Sequence, residues 1–125
     1  MKRITVILLI ITLVAFFVAG CSSDTDPSVG PGKYDTFAQC LTEKGAKMYG
    51  AYWCPHCITQ KELFGPSWQY VNYIECSLPG GQGQTTQCTQ AGIKGYPTWE
   101  FGDGSRGSGT QTFEELSQKS GCPLS

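Results

Sequence analysis

The chain has little charge of either sign and no run of like charges. Its 125 residues include 9 lysines and arginines against 10 aspartates and glutamates, which gives a formal net charge of -1. Without a basic patch, nothing in the sequence would attract nucleic acid or an anionic membrane surface. We therefore expect no nucleic-acid partner, and the length predicts a single domain.

Histidine is almost absent, and the only one, His56, lies inside the segment Y-W-C-P-H-C at 52–57. Attachment of a c-type haem would need a histidine directly after the second cysteine, where the chain has Ile58. The segment G-D-G-S-R-G at 102–107 matches a dinucleotide-binding pattern, but that pattern must open a helix and here more strand follows. We therefore expect no cofactor.

The chain also lacks an apolar run of the roughly 20 residues that a membrane span requires. Residues 4–19 are apolar apart from two threonines and follow the basic start M-K-R, a pattern typical of a signal peptide. The run ends in V-A-G-C, which resembles the bacterial lipobox, whose cysteine, here Cys21, becomes lipidated. We expect residues 1–20 to be a lipoprotein signal peptide. The alternative is an uncleaved signal anchor in which Cys21 has no role.

Cysteine, by contrast, is abundant, with seven in the chain. An oxidising compartment would pair such a set, so we expect the protein in the cell envelope, outside the cytoplasmic membrane, in the periplasm or at the cell surface. With Cys21 lipidated, six cysteines remain for pairing. Residues 21–33 are polar and rich in turn formers, which predicts a flexible tether between the lipid anchor and a folded domain at 34–125.

Hydrophobic spacing and turn residues in the folded part predict the order α-β-α-β-α-β-β-α. Helices are predicted at 34–44, 54–64, 85–91 and 112–120, and strands at 46–53, 70–76, 98–101 and 107–110. A strand, a crossover helix and a second strand make a right-handed parallel pair, to which a hairpin adds antiparallel strands. The predicted fold is therefore of the α/β class, a small mixed four-stranded sheet with helices on both faces.

Cys54 and Cys57 fall between a predicted strand and the helix that follows it. A helix N-terminus favours a thiolate, and the spacing puts both sulfurs on one helix face. We expect Cys54 to be the exposed attacking sulfur and Cys57 the shielded resolving one. Pro55 stiffens the turn, while His56 would stabilise the Cys54 thiolate and make the disulfide more oxidising.

A metal site is the main alternative reading of these cysteines. Cys54, Cys57, Cys76 and Cys88 could supply four sulfurs, with His56 in place of one. Structural zinc sites usually use two closely spaced cysteine pairs, whereas the second pair here is twelve residues apart. We therefore expect no metal. A binding module with purely structural disulfides is also disfavoured, because closing the small CxxC loop would gain little stability.

Two motifs, W-C-P-H-C at 53–57 and G-Y-P-T at 95–98, resemble the thioredoxin superfamily. Longer segments are similar to the thioredoxin-like domain fused to bacterial and plant vitamin K epoxide reductase homologues. These segments are F-A-Q-C-L-T-E-K-G-A-K-M-Y-G-A-Y-W-C-P-H-C, Q-K-E-L-F-G, Y-I-E-C, G-I-K-G-Y-P-T-W and E-E-L-S-Q-K-S-G. The resemblance covers about 37–121. The quinone-reducing membrane domain of those fusions has no counterpart in these 125 residues, and we expect the lipid anchor to take its place.

The resemblance implies a thioredoxin-like fold and a thiol–disulfide oxidoreductase. Cys54 would carry the mixed disulfide with a substrate and Cys57 would resolve it. Pro97, at the position of the family's cis-proline, would line the substrate groove with Tyr96, and Trp53 would either form a wall of that groove or serve only packing.

The resemblance also implies partners. Clients would be proteins with cysteine pairs, which the enzyme would oxidise, and we expect a monomer. A quinone-linked membrane protein resembling a vitamin K epoxide reductase homologue would reoxidise the enzyme. The alternative direction is a reductase or isomerase of client disulfides.

The family keeps a second cysteine pair in the region of Cys76 and Cys88, which implies a disulfide there. It would be a structural staple, which we favour, or a relay that passes electrons to a partner. With that pair and the CxxC pair assigned by the resemblance, Cys40 and Cys122 remain as partners. Many thioredoxins have a buried acid six residues before the first active cysteine, but Met48 stands at that position, so proton transfer at Cys57 needs water or another group.

Overall fold

The computed structural model describes residues 31–124. Its helices are α1 (Asp35–Glu43), α2 (Pro55–Phe64), α3 (Thr86–Gln90) and α4 (Phe113–Ser120), and its strands are β1 (Lys47–Gly50), β2 (Tyr73–Glu75), β3 (Thr98–Glu100) and β4 (Arg106–Ser108). Two short 3-10 helices lie at Gly65–Tyr70 and Pro79–Gly81. The predicted order of helices and strands is confirmed. The predicted signal peptide, Cys21 and most of the tether lie outside the described residues.

The four strands form one mixed sheet in the order β2-β1-β3-β4. β1 and β2 are parallel, with Met48 opposite Tyr73, and they are joined through α2. β3 is antiparallel to both β1 and β4, with Tyr49 opposite Thr98 in the first pair. A parallel pair joined by a crossover helix and extended by a hairpin is the predicted α/β, thioredoxin-like arrangement.

Helices cover both faces of the sheet. Two adjacent buried residues of β1, Met48 and Tyr49, show this because they pack in different clusters. Successive side chains of a strand point to opposite faces. Met48 belongs to a large cluster with residues of α1, α2 and α4, whereas Tyr49 belongs to a smaller cluster with Cys76, Cys88 and Ile93. The larger cluster is the main core, and it includes the sulfurs of the CxxC segment.

The strands are shorter than the sequence predicts. The predicted strand at 46–53 pairs only over Lys47–Gly50, because its neighbours β2 and β3 are each three residues long. The chain then turns, and the Cys54 N–H donates to the Ala51 carbonyl at 3.0 Å. The predicted strand at 70–76 begins late because Gly65–Tyr70 forms a 3-10 helix after α2. The early turn at 51–54 places the cysteines at the end of β1.

Two disulfides join distant parts of the fold. Cys40 on α1 bonds to Cys122 just after α4, and Cys76 at the end of β2 bonds to Cys88 on α3. Both pairs are those that the family resemblance implied. Among residues 31–124, no helix is long and apolar enough to cross a membrane.

Candidate active site

The site is built at the junction between β1 and α2. Cys54 is the N-cap residue of α2 with an extended backbone, and Pro55 occupies the first helical turn, where its missing N–H needs no partner. The Cys54 carbonyl accepts the N–H of Ile58 at 3.1 Å and so begins the helix. The local sequence therefore sets Cys54 at the end of the helix where unpaired N–H groups favour negative charge.

The Cys54 sulfur is less exposed than the sequence predicts. We expected an exposed sulfur, but Cys54 is only 5% exposed, while Cys57 is 0% exposed. The loop before β3 is responsible, because the Cys54 thiol donates to the Tyr96 carbonyl at 3.6 Å. Cys54 remains the more accessible of the two sulfurs, as expected. The Cys54 sulfur therefore lies beside the Tyr96–Pro97 peptide, which is cis.

Cys57 is enclosed in the core one turn into α2. Burial raises the pKa of the Cys57 thiol to about 12, and hydrogen bonding with Cys54 acts in the same direction. A hydrogen bond with the Ala51 backbone and the positive charge of Lys61 oppose this shift of the pKa. Cys54 and Cys57 are the free cysteines of the described chain. The structure thus contains the reduced dithiol, with a neutral Cys57.

The predicted groove residues come together beside Cys54. The Trp53 and Tyr96 rings meet edge to face with centroids 6.0 Å apart, and Trp53 is 50% exposed. The Trp53 indole N–H donates to the Ser77 hydroxyl at 2.9 Å, and the Tyr96 hydroxyl accepts from the Gln84 amide at 2.8 Å. Both rings are therefore held in place, and Trp53 keeps an open face toward solvent.

His56 lies in the first turn of α2, close in sequence to Cys54, whose thiolate it is predicted to stabilise. His56 is exposed, and among residues 31–124 its imidazole makes no hydrogen bond. The main-chain carbonyl of His56 accepts a hydrogen bond from the Thr110 hydroxyl at 3.2 Å. The His56 side chain is therefore open to solvent, and its effect on Cys54 stays a prediction.

Sequence reasoning missed Tyr73, whose ring lies near Cys57, and the side chains that hold this ring. A Cβ on Gly50 would lie 3.0 Å from the Cys57 sulfur and 2.8 Å from a ring carbon of Tyr73. The Tyr73 hydroxyl donates to Glu75 at 2.7 Å, and Lys61 lies over the Tyr73 ring, 4.2 Å from its centroid. The spacing of Cys57 and Lys61, four residues apart on one helix, was the available signal.

A second missed residue, Gln60, fixes α2 to the rest of the fold. Its side chain is fully buried. Its carbonyl oxygen accepts from the Trp99 indole at 3.2 Å and from the Gln111 N–H at 2.7 Å, and its amide donates to the Gln111 carbonyl at 3.1 Å. Gln60 thereby joins the helix that carries both active cysteines to β3 and to the segment before α4.

The four-sulfur metal site is not formed in this structure. Cys76 and Cys88 are bonded to each other, so their sulfurs are not available as thiolate ligands. Within residues 31–124, no cluster of three or more histidine, cysteine or acidic side chains is arranged to hold a metal ion. The described site is built for thiol chemistry.

Comparison with known proteins identifies a relative with a named activity. No protein-family model matches the chain. It is 42% identical over 92 residues to the thiol–disulfide oxidoreductase LTO1 of Arabidopsis thaliana. The alignment covers 70% of this chain and 24% of the plant protein, so the chain spans about a quarter of the length of that relative. The chain is therefore a homologue of a thiol–disulfide oxidoreductase over its thioredoxin-like domain.

Proposed function

We propose that this protein oxidises cysteine pairs of client proteins outside the cytoplasmic membrane, using the Cys54–Cys57 disulfide. The observation that carries the proposal is the position of Cys54 at the N-cap of α2, with its sulfur 3.6 Å from the Tyr96 carbonyl. The N-terminus of a helix favours a thiolate over a thiol. A stabilised Cys54 thiolate favours the reduced enzyme, and therefore makes its disulfide a good oxidant.

The reaction proceeds by two exchanges. A client thiolate attacks the Cys54 sulfur, the Cys54–Cys57 bond breaks, and its electron pair leaves on Cys57. The second client thiolate then attacks the client sulfur of the mixed disulfide and releases Cys54 as a thiolate. The client leaves with a disulfide and the enzyme is left as the dithiol. Trp53 and the backbone around Pro97 would hold the client as an added extended strand.

The direction of electron flow between the enzyme and its clients is tested by equilibrating the full chain, extracted in detergent, with glutathione buffers. Free thiols are trapped by alkylation and counted by mass spectrometry. A variant with Cys54→Ser and Cys57→Ser provides the background from the other cysteines. We expect the pair to stay reduced until the buffer is strongly oxidising. A pair that remains a disulfide in reducing buffer would make the protein a client reductase or isomerase.

Regeneration requires an acceptor for two electrons. We propose a quinone-linked membrane protein resembling a vitamin K epoxide reductase homologue, on the strength of the family resemblance. The test adds the reduced protein to membranes from the same cells, with and without an added quinone. Reoxidation that depends on quinone supports the partner, whereas an equal rate in membranes stripped of quinone contradicts it.

We further propose that Cys21 carries lipid and holds the domain at the membrane surface in the cell envelope. The motif V-A-G-C supports this proposal. Radiolabelled palmitate should enter the wild-type protein but not a Cys21→Ala variant, and the mature N-terminal peptide should begin at residue 21. A mature protein that retains residues 1–20 without lipid would show an uncleaved anchor instead.

A further inference from the structure

The first exchange leaves a negative charge on the Cys57 sulfur, and the buried surroundings of this sulfur disfavour a charge. Cys57 is fully buried, and burial raises the pKa of its thiol to about 12. The side chain six residues before Cys54 is Met48, which is fully buried and carries no charge. A buried thiolate without a compensating charge is costly to form. Some other group must therefore offset the charge on Cys57 as the disulfide breaks.

Lys61 is placed to supply that charge. It lies four residues after Cys57 on α2, so the two side chains share one face of the helix. Its ammonium lies 4.2 Å from the centroid of the Tyr73 ring and 5.6 Å from that of Trp68. Within residues 31–124, Lys61 forms no ion pair with a carboxylate. Its ammonium is therefore held by aromatic rings rather than by direct contact with an acid.

The Tyr73 ring connects Lys61 with the surroundings of Cys57. A Cβ added at Gly50 would lie 2.8 Å from an edge carbon of the Tyr73 ring and 3.0 Å from the Cys57 sulfur. The ring edge and the sulfur are therefore close to each other. The hydroxyl donates to Glu75 at 2.7 Å, and Glu75 in turn accepts the Ser77 N–H at 2.8 Å. The ring is thus fixed from β2, and its face holds the Lys61 ammonium by a cation–π contact.

We propose that Lys61, held over the ring of Tyr73, is a positioning residue that stabilises the Cys57 thiolate when the Cys54–Cys57 disulfide opens. The incoming thiolate forms a bond to the Cys54 sulfur, and the electron pair of the broken bond passes to Cys57. Lys61 offsets that negative charge until Cys57 takes a proton from solvent. The inference rests on the proposed function, since it concerns the leaving sulfur of the same exchange.

This role predicts a kinetic effect without an equilibrium effect. At neutral pH, Cys57 is a neutral thiol in the reduced protein and a disulfide in the oxidised one, so neither end state contains the charge that Lys61 stabilises. Loss of Lys61 should therefore slow reduction and reoxidation by the same factor. An effect of roughly tenfold is expected for one unit charge near a buried sulfur.

The test uses the full chain in detergent, with the Cys54–Cys57 disulfide reduced by dithiothreitol under stopped flow. Lys61→Met should slow the reaction roughly tenfold and leave the equilibrium constant with dithiothreitol within about twofold of wild type. Lys61→Arg should restore at least half of the wild-type rate. Lys44→Met, at an exposed position after α1, is the matched control and should match wild type.

Substitutions of Tyr73 provide the second part of the test. Tyr73→Leu should slow the reaction as Lys61→Met does, and the double variant should be no slower than either single variant, since both remove one interaction. Tyr73→Phe keeps the ring and should retain most of the rate. If Tyr73→Phe is as slow as Tyr73→Leu, the ring-holding role is wrong.

The outcomes separate this inference from the proposed function. Lys61→Met at the wild-type rate overturns the inference while the redox activity stands. Slowing accompanied by an equal change in the equilibrium constant also overturns it, because a structural disturbance would then be the cause. A wild-type disulfide that does not exchange with dithiothreitol would instead contradict the proposed function itself.

Discussion

The Cys54 sulfur lies 3.6 Å from the carbonyl oxygen of Tyr96, the residue that precedes Pro97. These residues are 42 positions apart in the chain. The contact ties the N-terminus of α2 to the loop that begins β3. It also places the more accessible sulfur of the CxxC pair beside main-chain groups that an extended client peptide could use.

The first prediction follows from the different burial of the two cysteines. Cys57→Ser should accumulate a mixed disulfide between Cys54 and a client, because the resolving thiol is missing. Cys54→Ser should accumulate none, because Cys57 is 0% exposed. Non-reducing electrophoresis and peptide mass spectrometry measure both. Equal trapping by the two variants would contradict the assigned roles.

The second prediction concerns pH. Burial raises the pKa of the Cys57 thiol from 9.0 to about 12, so the folded state keeps a proton that the unfolded chain loses. Below about pH 9 this thiol does not change the free energy of unfolding. Above it, the free energy of unfolding falls by at most about 1.4 kcal/mol for each pH unit, until about pH 12.

The effect is measured by comparing denaturant midpoints at pH 7 and pH 9.5. The protein used has Cys57 as its one free thiol among residues 31–124, so that Cys54 does not contribute. Cys54→Ser keeps Cys57 and should lose stability over this interval. The variant with Cys54→Ser and Cys57→Ser is the control, since serine does not titrate here. The difference between the two proteins should grow as pH rises, and a constant difference would contradict the raised pKa.

The third prediction separates the staple from the relay at Cys76–Cys88. Both sulfurs are 0% exposed, so a partner thiolate has no direct access to them. Replacing both by alanine should cost about 2–4 kcal/mol of unfolding free energy, the usual contribution of such a loop closure. Equilibrium of Cys54–Cys57 with glutathione and turnover with clients should be unchanged at a temperature where the variant is folded. Loss of turnover without loss of stability would favour the relay.

The fourth prediction tests Gln60. Gln60→Leu leaves the buried Trp99 indole and the Gln111 main chain without their partner, at a cost of about 1–3 kcal/mol for each unpaired group. Gln69→Leu, at an exposed position, should change stability by less than about 0.5 kcal/mol. Chemical denaturation of the oxidised proteins compares the two. A similar small effect at both positions would rule out a stabilising role for Gln60.

The fifth prediction decides what Trp53 does. Trp53 is half exposed beside Tyr96. Trp53→Ala should therefore lower kcat/KM for a protein client by about tenfold or more, the usual effect of truncating an aromatic anchor at an interface. The rate with dithiothreitol should change little, because a small reductant does not use the groove. A loss of stability with equal slowing toward both reductants would indicate packing alone.

The sequence determined the elements of this protein and the chemistry of its central motif. Alternating and helical spacing predict the element order, since these periodicities are local properties of the chain. The CxxC spacing, with proline in the first turn, places two sulfurs on one face at a helix N-terminus, again by local geometry. The disulfide pairs and Pro97 came from the resemblance to a family, because no local pattern tells which distant cysteines meet.

Only the tertiary structure decided the environment of the site. Strand ends depend on how far the neighbouring strand pairs, so β1 and β2 are shorter than their apolar runs. The loop at Tyr96 buries Cys54, contrary to expectation. The contact between Lys61 and the Tyr73 ring joins α2 to β2 near Cys57, and such long-range contacts are fixed by the sheet register rather than by any local spacing.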